Sequence, residues 1–160
     1  MMWSKLKKSI EEKFAESIDG RVNLYVTRYT SGSYYMVRGW ITIDGEEIAN
    51  FSTPDNNNKY GWNTPEINER IPEGERTKGA ASEKGEFSRW EFIDACRDYL
   101  NHNIDEAVKS ENPIIRSFAV LDRRLGKRRL KLMDKAELHP LTLRLLELRL
   151  ECENLKNAGT

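Results

Sequence analysis

The first apolar residues of the chain recur at steps of three and four, the period of an amphipathic helix. The members of this stripe are Trp3, Leu6, Ile10, Phe14 and Ile18. Charged residues fall between them, and Asp19-Gly20 follows as a helix stop, with glycine as the C′ residue. The pattern predicts a helix over residues 3–18.

The period changes to two after residue 20, as expected for half-buried β-strands. Alternation over 21–29, 34–43 and 46–52, with Asp44-Gly45 as a two-residue hairpin signal, predicts a three-stranded antiparallel meander. If Val22 faces Ile41 and Ile41 faces Ile48, the sheet has one aliphatic and one mixed aromatic face. The aliphatic face then holds Val22, Leu24, Val26, Val37, Ile41, Ile43 and Ile48. The aromatic face holds Tyr25, Tyr29, Met36, Arg38, Trp40 and Phe51.

Residues 53–86 are rich in proline, glycine, asparagine and charge, which predicts a long polar loop. Tyr60 and Trp62 are unusual in a free linker, so we expect one of them to pack back onto the sheet. The remainder carries repeated helix-start signals, such as the capping box Ser88-Arg89-Trp90-Glu91 and Pro140 after His139. The prediction is a single α+β domain over 1–160, with a sheet-bearing half at about 1–52, loop 53–86 and a helical half 87–160.

The most basic run, Arg123–Met133, falls in this helical half. A continuous helix from Pro113 would place one set of cations opposite an apolar stripe: Arg116, Arg123, Arg124, Lys127 and Lys131. Three interpretations stay open: a solvated face with internal ion pairs, contact with phosphate or nucleic acid, and contact with an acidic protein. For internal pairing, we expect Arg128 or Arg129 to meet Glu147 or Glu151. Gly126 is a point at which the helix would break.

Two further surfaces are candidates for binding. The last helix has leucines on two sides, so it is either sandwiched within the chain or shared in a homodimer. On the aromatic sheet face, Tyr25, Arg38 and Trp40 are either a stacking surface for a partner or are covered by other parts of the chain.

Composition narrows the function classes. Lys+Arg and Asp+Glu both total 26, so the net charge is +0, whereas nucleic-acid modules are usually basic. Cys96 and Cys152 show no metal-ligand spacing, which predicts reduced thiols without bound metal. The sequence begins without a signal-peptide pattern and has no membrane-length apolar run, so we expect a cytoplasmic protein without membrane contact.

Signals for catalysis are weak. The sequence lacks the common nucleophile, zinc, phosphate-loop and dinucleotide motifs, and we predict no cofactor. An enzyme interpretation would rest on carboxylates of the 53–91 segment, with Glu66, Glu69 or Glu91 as the acid or base.

Long segments of the chain resemble a family of small bacterial proteins of uncharacterised function. They are MWSKLKKSIEEKFAESIDGRVN, NFSTPDNNNKYG, TPEINERIPEGERTKGAA and NPIIRSFAVLDRRLGKRRL. The resemblance implies a bacterial cytoplasmic protein, and it brings no activity, cofactor or site residue.

These observations favour a non-catalytic binding or regulatory protein that contacts another protein. The alternatives are nucleic-acid or anionic-ligand binding through the predicted basic helix 116–131, and an enzyme with its site in the 53–91 segment.

Overall fold

The computed structural model describes residues 2–31, 34–52 and 86–157. The helices are α1 (Trp3–Glu11), α2 (Arg89–Leu100), α3 (Ile104–Val108), α4 (Pro113–Leu121), α5 (Lys127–Leu132) and α6 (Pro140–Cys152). The strands are β1 (Val22–Ser31), β2 (Tyr34–Ile43) and β3 (Glu46–Ser52), in sheet order β1-β2-β3. Short 3-10 turns occur at Glu16–Ile18 and Lys135–Glu137. The predicted α+β fold, with a helix, an antiparallel meander and a helical half in that order, is confirmed.

The chain divides into two compact units. One is Arg21–Asp94, and the other combines Met1–Gly20 with Ala95–Thr160. Helix α1 therefore groups with the C-terminal helices, while the prediction of one domain over 1–160 stays a prediction. The expected packing of Tyr60 or Trp62 falls within residues 53–85, outside the described residues. No helix in the described ranges combines the length and apolar character needed to span a bilayer.

The sheet differs from its predicted register at both strand pairs. Val22 pairs with Ile43 rather than Ile41, and this two-residue shift leaves Val22, Ile41 and Ile43 together on the predicted face. An irregularity between Ile41 and Thr42 then shifts β3 by one residue, so that Ile41 pairs with Ala49. Because an odd shift exchanges the two faces, Phe51 pairs with Gly39 on the aliphatic side. The placement of Phe51 on the aromatic face was wrong.

An aromatic ring fills the space above Gly39. The ring of Phe92 lies there and stacks on Phe51, with a centroid distance of 4.4 Å and an interplanar angle of 14°. A Cβ atom added to Gly39 would lie 2.6 Å from the Phe92 ring and 3.3 Å from the Tyr25 carbonyl oxygen. Glycine is therefore needed because the ring packs directly on the backbone.

Helices α4 and α6 form the centre of the unit that combines Met1–Gly20 with Ala95–Thr160, here called the helical unit. Thr142 at the start of α6 hydrogen-bonds the carbonyl of Pro113 at the start of α4, and Arg149 reaches Val120 near the α4 end. The two helices therefore run in the same direction. Seven residues of α4 are buried: Ile114, Ile115, Ser117, Phe118, Ala119, Val120 and Leu121.

Helix α1 is shorter than the predicted helix 3–18. The chain leaves the helix after Glu11 and binds as an extended segment beside the end of α4. The Ala15 N–H donates to the Leu121 carbonyl, and the Arg123 N–H donates to the Lys13 carbonyl, both at 2.8 Å. These long-range backbone bonds compete with continuation of the helix, and the apolar period carries no sign of them.

We predict that Gly39→Ser lowers the free energy of unfolding by roughly 1–3 kcal/mol, because the new side chain collides with Phe92. The matched control is Gly126→Ser, where a Cβ would have no neighbour within 4 Å and serine suits the helix N-cap. Urea unfolding of both variants checks this. Equal stability of the two variants would mean that the packing of the Phe92 ring does not require glycine at position 39.

Candidate functional site

The run Arg123–Met133 does not lie on one helix. Helix α4 ends at Leu121, a turn follows, and α5 begins only at Lys127. The prediction of one continuous basic helix over 116–131 was therefore wrong. Arg116 lies on α4, whereas Lys127 and Lys131 lie on α5, so the stripe of cations is divided.

A buried arginine from α6 stabilises this break. Arg149 is 3% exposed, and its guanidinium donates to the carbonyls of Val120 at 3.1 Å, Asp122 at 2.7 Å and Leu125 at 2.9 Å. Carbonyls at a helix C-terminus have no partner within their own helix. Arg149 supplies those donors, so the chain turns here without leaving these acceptors unsatisfied.

A second charged group organises the same turn. The fully buried carboxylate of Asp122 accepts hydrogen bonds from the Tyr99 hydroxyl and from Arg124, whose Nη2 lies 2.8 Å away. Burial raises the pKa of Asp122, but the hydrogen bonds from Arg124 and Tyr99 outweigh it and hold the pKa below its ordinary value. Burial and the neighbouring carboxylate raise the pKa of Tyr99. Arg124, one of the predicted anion contacts, is thus neutralised within the fold.

Arg129 is neutralised as well, although by a different residue from the one expected. Its Nη1 lies 2.6 Å from the Asp105 carboxylate on α3. The prediction that Arg128 or Arg129 meets Glu147 or Glu151 of the last helix was wrong, because Arg129 pairs with Asp105 and Arg128 has no ion pair in the described part of the chain. Both members of the observed pair are substantially exposed, so the pair contributes little to stability.

The remaining residues of α5 form an exposed surface, here called the α5 face: Lys127, Arg128, Lys131 and Leu132. At about 100° per residue these four share one side of the helix, and the buried Leu130 lies opposite. Within the described part of the chain, no ion pair involves the three cations. Arg123, also exposed, lies in the turn that precedes α5.

The other predicted cation, Arg116, lies along a cleft in the helical unit. The cleft has a volume of about 260 Å³. Its lining residues come from the α3–α4 connection, α4, the 3-10 turn Lys135–Glu137 and the start of α6. They are Ser110, Glu111, Pro113, Arg116, Glu137, His139 and Thr142.

Tyr25, Arg38 and Trp40 do meet on one face of the sheet. Tyr25 stacks on Trp40 with ring centroids 5.0 Å apart, and the Arg38 guanidinium carbon lies 4.2 Å from the Trp40 ring centroid. Arg38 is only 7% exposed, forms an ion pair with Glu47 and donates to the Asn50 side-chain oxygen at 3.1 Å. The cation of the predicted binding surface is therefore buried and neutralised, although Tyr25 stays exposed at 36%.

This cluster also contains polar atoms that are buried without a partner. Among the described residues, Arg38 Nε, Thr42 Oγ1 and Asn50 Nδ2 have no hydrogen-bond partner. Each buried and unsatisfied group costs about 1–3 kcal/mol. The cluster is therefore a site where apolar substitution should stabilise the fold.

The carboxylates considered for catalysis do not form a site in the described ranges. Glu91 completes the predicted capping box: Ser88 N–H donates to its carboxylate at 2.7 Å, and its own N–H donates to Ser88 Oγ at 3.2 Å. Glu66 and Glu69 lie outside the described residues. In residues 2–31, 34–52 and 86–157, no three His, Cys, Asp or Glu side chains are grouped to hold a metal ion.

Comparison with known proteins places the chain in a family. Residues 2–150 match the SF0329 protein family. The chain belongs to the SF0329 protein family. The expected resemblance to a small uncharacterised family is thereby confirmed. No curated protein and no solved structure matches the chain.

The most important polar side chain of this SF0329-family protein, Arg149, was not among the predicted site residues. A signal for it exists in the sequence: Arg149 follows Leu145 by four residues, so it falls on an apolar stripe of the last helix. A lone arginine within such a stripe indicates a buried charge with partners. One partner, Glu153, forms an ion pair with Arg149 from four residues later and is visible in the sequence, whereas the three backbone carbonyls leave no sequence signal.

We predict that Thr42→Val stabilises the protein by about 1 kcal/mol, because the buried Thr42 hydroxyl has no partner in the described chain. The control is the same change at Thr142, whose buried hydroxyl donates to the Pro113 carbonyl at 3.1 Å. We expect Thr142→Val to destabilise by about 1 kcal/mol. Thermal unfolding of both variants tests the contrast, and a loss of stability in Thr42→Val would show that its hydroxyl is satisfied.

Arg149→Met should lower the free energy of unfolding by about 3–5 kcal/mol, since three buried carbonyls lose their donors. Arg144→Met removes an exposed arginine from the same helix and should change stability by less than about 0.5 kcal/mol. Denaturant unfolding of the two variants measures both values. A small effect at Arg149 would mean that the turn between α4 and α5 holds without it.

Proposed function

We propose that this protein is a non-catalytic binding protein that contacts an acidic protein segment through the α5 face. The observation that carries the proposal is the division of the basic run. Arg124 and Arg129 have carboxylate partners, whereas Lys127, Arg128 and Lys131 are exposed and have none within the described chain. Exposed cations without a partner are available to an anionic molecule.

Leu132 favours a protein as that molecule. It is 65% exposed and lies about 40° around the helix from Arg128. Exposed leucine beside cations complements a segment that carries both carboxylates and apolar side chains. A phosphate backbone would meet the cations, but it offers no apolar group for this leucine.

Nucleic acid is the second candidate, because cations on one helix side also suit phosphates. It is less favoured since the net charge is +0 and Arg124, which the predicted stripe included, is neutralised by Asp122. The third candidate is an enzyme with a carboxylate site in the 53–91 segment. This candidate gains no support from Glu91, because the capping role of Glu91 is a sufficient structural reason for that residue.

The proposal includes a bacterial cytoplasmic setting, which rests on the sequence resemblance described above. A homodimer through the last helix is less favoured than an acidic partner. The leucines of α6 at 141, 145, 146, 148 and 150 are buried, and α6 packs on α4, α5 and the first 3-10 turn. Little apolar surface of α6 is left for a second copy.

The test uses a fluorescent peptide of alternating glutamate and leucine, measured by anisotropy over a range of salt. Reversing all three cations, in Lys127→Glu, Arg128→Glu and Lys131→Glu, should weaken binding by at least about tenfold, because attraction becomes repulsion. The matched control reverses three other exposed cations of the helical unit: Lys109→Glu, Arg144→Glu and Lys156→Glu.

Leu132→Ser separates the two leading candidates. It should weaken peptide binding while leaving any binding of a single-stranded or duplex oligonucleotide unchanged. Tighter binding of an oligonucleotide than of the peptide, with a steep salt dependence, would favour the second candidate. Equal peptide binding by the α5-face variant and its control would overturn the proposal.

A further inference from the structure

The cleft beside Arg116 contains charges of both signs that do not pair with one another. Arg116, Glu111 and Glu137 all line it, yet no ion pair joins them, and no ion pair ties any of them to another described residue. Opposite charges around one small space would normally meet if the backbone allowed it. Their separation leaves room for a molecule that bridges them.

The recognition groups are side chains rather than backbone. Asn112 Oδ1 accepts from the N–H groups of Ile114 and Ile115, at 2.9 and 3.4 Å, so these donors of α4 are occupied. Arg116 is half-buried, and its Nε lies buried without a partner in the described chain. The guanidinium is thus held in place by packing, and it is the cation that the cleft offers.

His139 is held at the edge of this cleft by a capping hydrogen bond. Its Nδ1 accepts the N–H of Leu141 at 3.1 Å, which caps the start of α6. The same ring lines the cleft.

We propose that this cleft binds a small zwitterion of the amino-acid class. The carboxylate of the ligand would meet Arg116, and its ammonium group would meet Glu111 or Glu137. A volume of about 260 Å³ lies just below the range of pockets that hold drug-sized ligands, so it suits a small metabolite. Beyond the charged groups the lining offers the hydroxyl residues Ser110 and Thr142, with Pro113 as an apolar contact.

The balance of charge favours a zwitterion over a simple anion. Besides His139, the lining has one cation and two carboxylates. A phosphate or acetate ion would meet the arginine and would also be repelled by both glutamates. A simple ammonium ion would meet the glutamates and be repelled by Arg116. Only a molecule with both charges is attracted at each end.

Three matched probes test this in the full-length protein: glycine, acetate, which lacks the ammonium group, and methylammonium, which lacks the carboxylate. Binding is followed by the NMR shift of the Arg116 Nε–Hε signal and of the Leu141 amide. We expect a saturable shift with glycine in the millimolar range. Acetate and methylammonium should bind at least about tenfold more weakly, because each retains one of the two contacts.

Variants assign the two ends of the ligand. Arg116→Met should abolish the saturable Leu141 shift with glycine, and the exposed control Arg144→Met should leave it unchanged. Glu111→Gln and Glu137→Gln alter exposed side chains, so they should fold normally. The double variant Glu111→Gln with Glu137→Gln should weaken glycine binding, so that the affinity for acetate comes closer to the affinity for glycine. No saturable shift with glycine would overturn the proposal, and so would acetate or methylammonium binding as tightly as glycine.

Discussion

The helical unit depends on the three hydrogen bonds that Arg149 donates to carbonyls at the end of α4 and in the turn that follows it. A helix can end inside a packed unit only if its last carbonyls find donors, and Arg149 brings those donors from the neighbouring helix. Because the chain turns at this point, the segment around Phe14 can pair with Asp122, and α5 can start in a new direction. The buried carboxylate of Asp122, held by Tyr99 and Arg124, fixes the same turn from its other side.

This turn also decides what the basic run can do. In a single helix, its cations would have formed one long stripe opposite the apolar residues. Because the helix breaks, Arg124 forms an ion pair with Asp122, two residues earlier in the chain. Arg129 forms an ion pair with Asp105 on α3. The charges that remain exposed on α5 are grouped with Leu132 over a few residues. A structural requirement at the end of α4 has thus reduced an extended stripe to a short surface, whose chemistry is partly apolar.

Local sequence signals predicted the elements well and their joints poorly. The capping residues Ser88, Asn112 and His139 act within a few residues of the chain, so their effect is readable from sequence. The Asp44-Gly45 turn is similar, because positive φ at both residues matches a two-residue hairpin. The misplaced Phe51, the early end of α1 and the break after Leu121 have another cause. Each depends on a bulge or on hydrogen bonds between segments far apart in sequence, and neither of these alters the hydrophobic period.

The equal totals of acidic and basic residues limit how any partner is recognised. With a net charge of +0, the protein has no large overall field to steer an anionic partner from a distance. Salt in the cell screens exposed charges beyond roughly 8 Å, so only groups near the contact contribute. Binding affinity must then come from complementary charges and complementary shape of the protein and its partner at the contact itself. For the acidic partner proposed for α5, the match includes an apolar contact at Leu132 as well as carboxylates for the cations. For the zwitterion proposed for the cleft beside Arg116, it includes contacts of both charge signs. Both proposals therefore favour small, chemically mixed partners over extended polyanions.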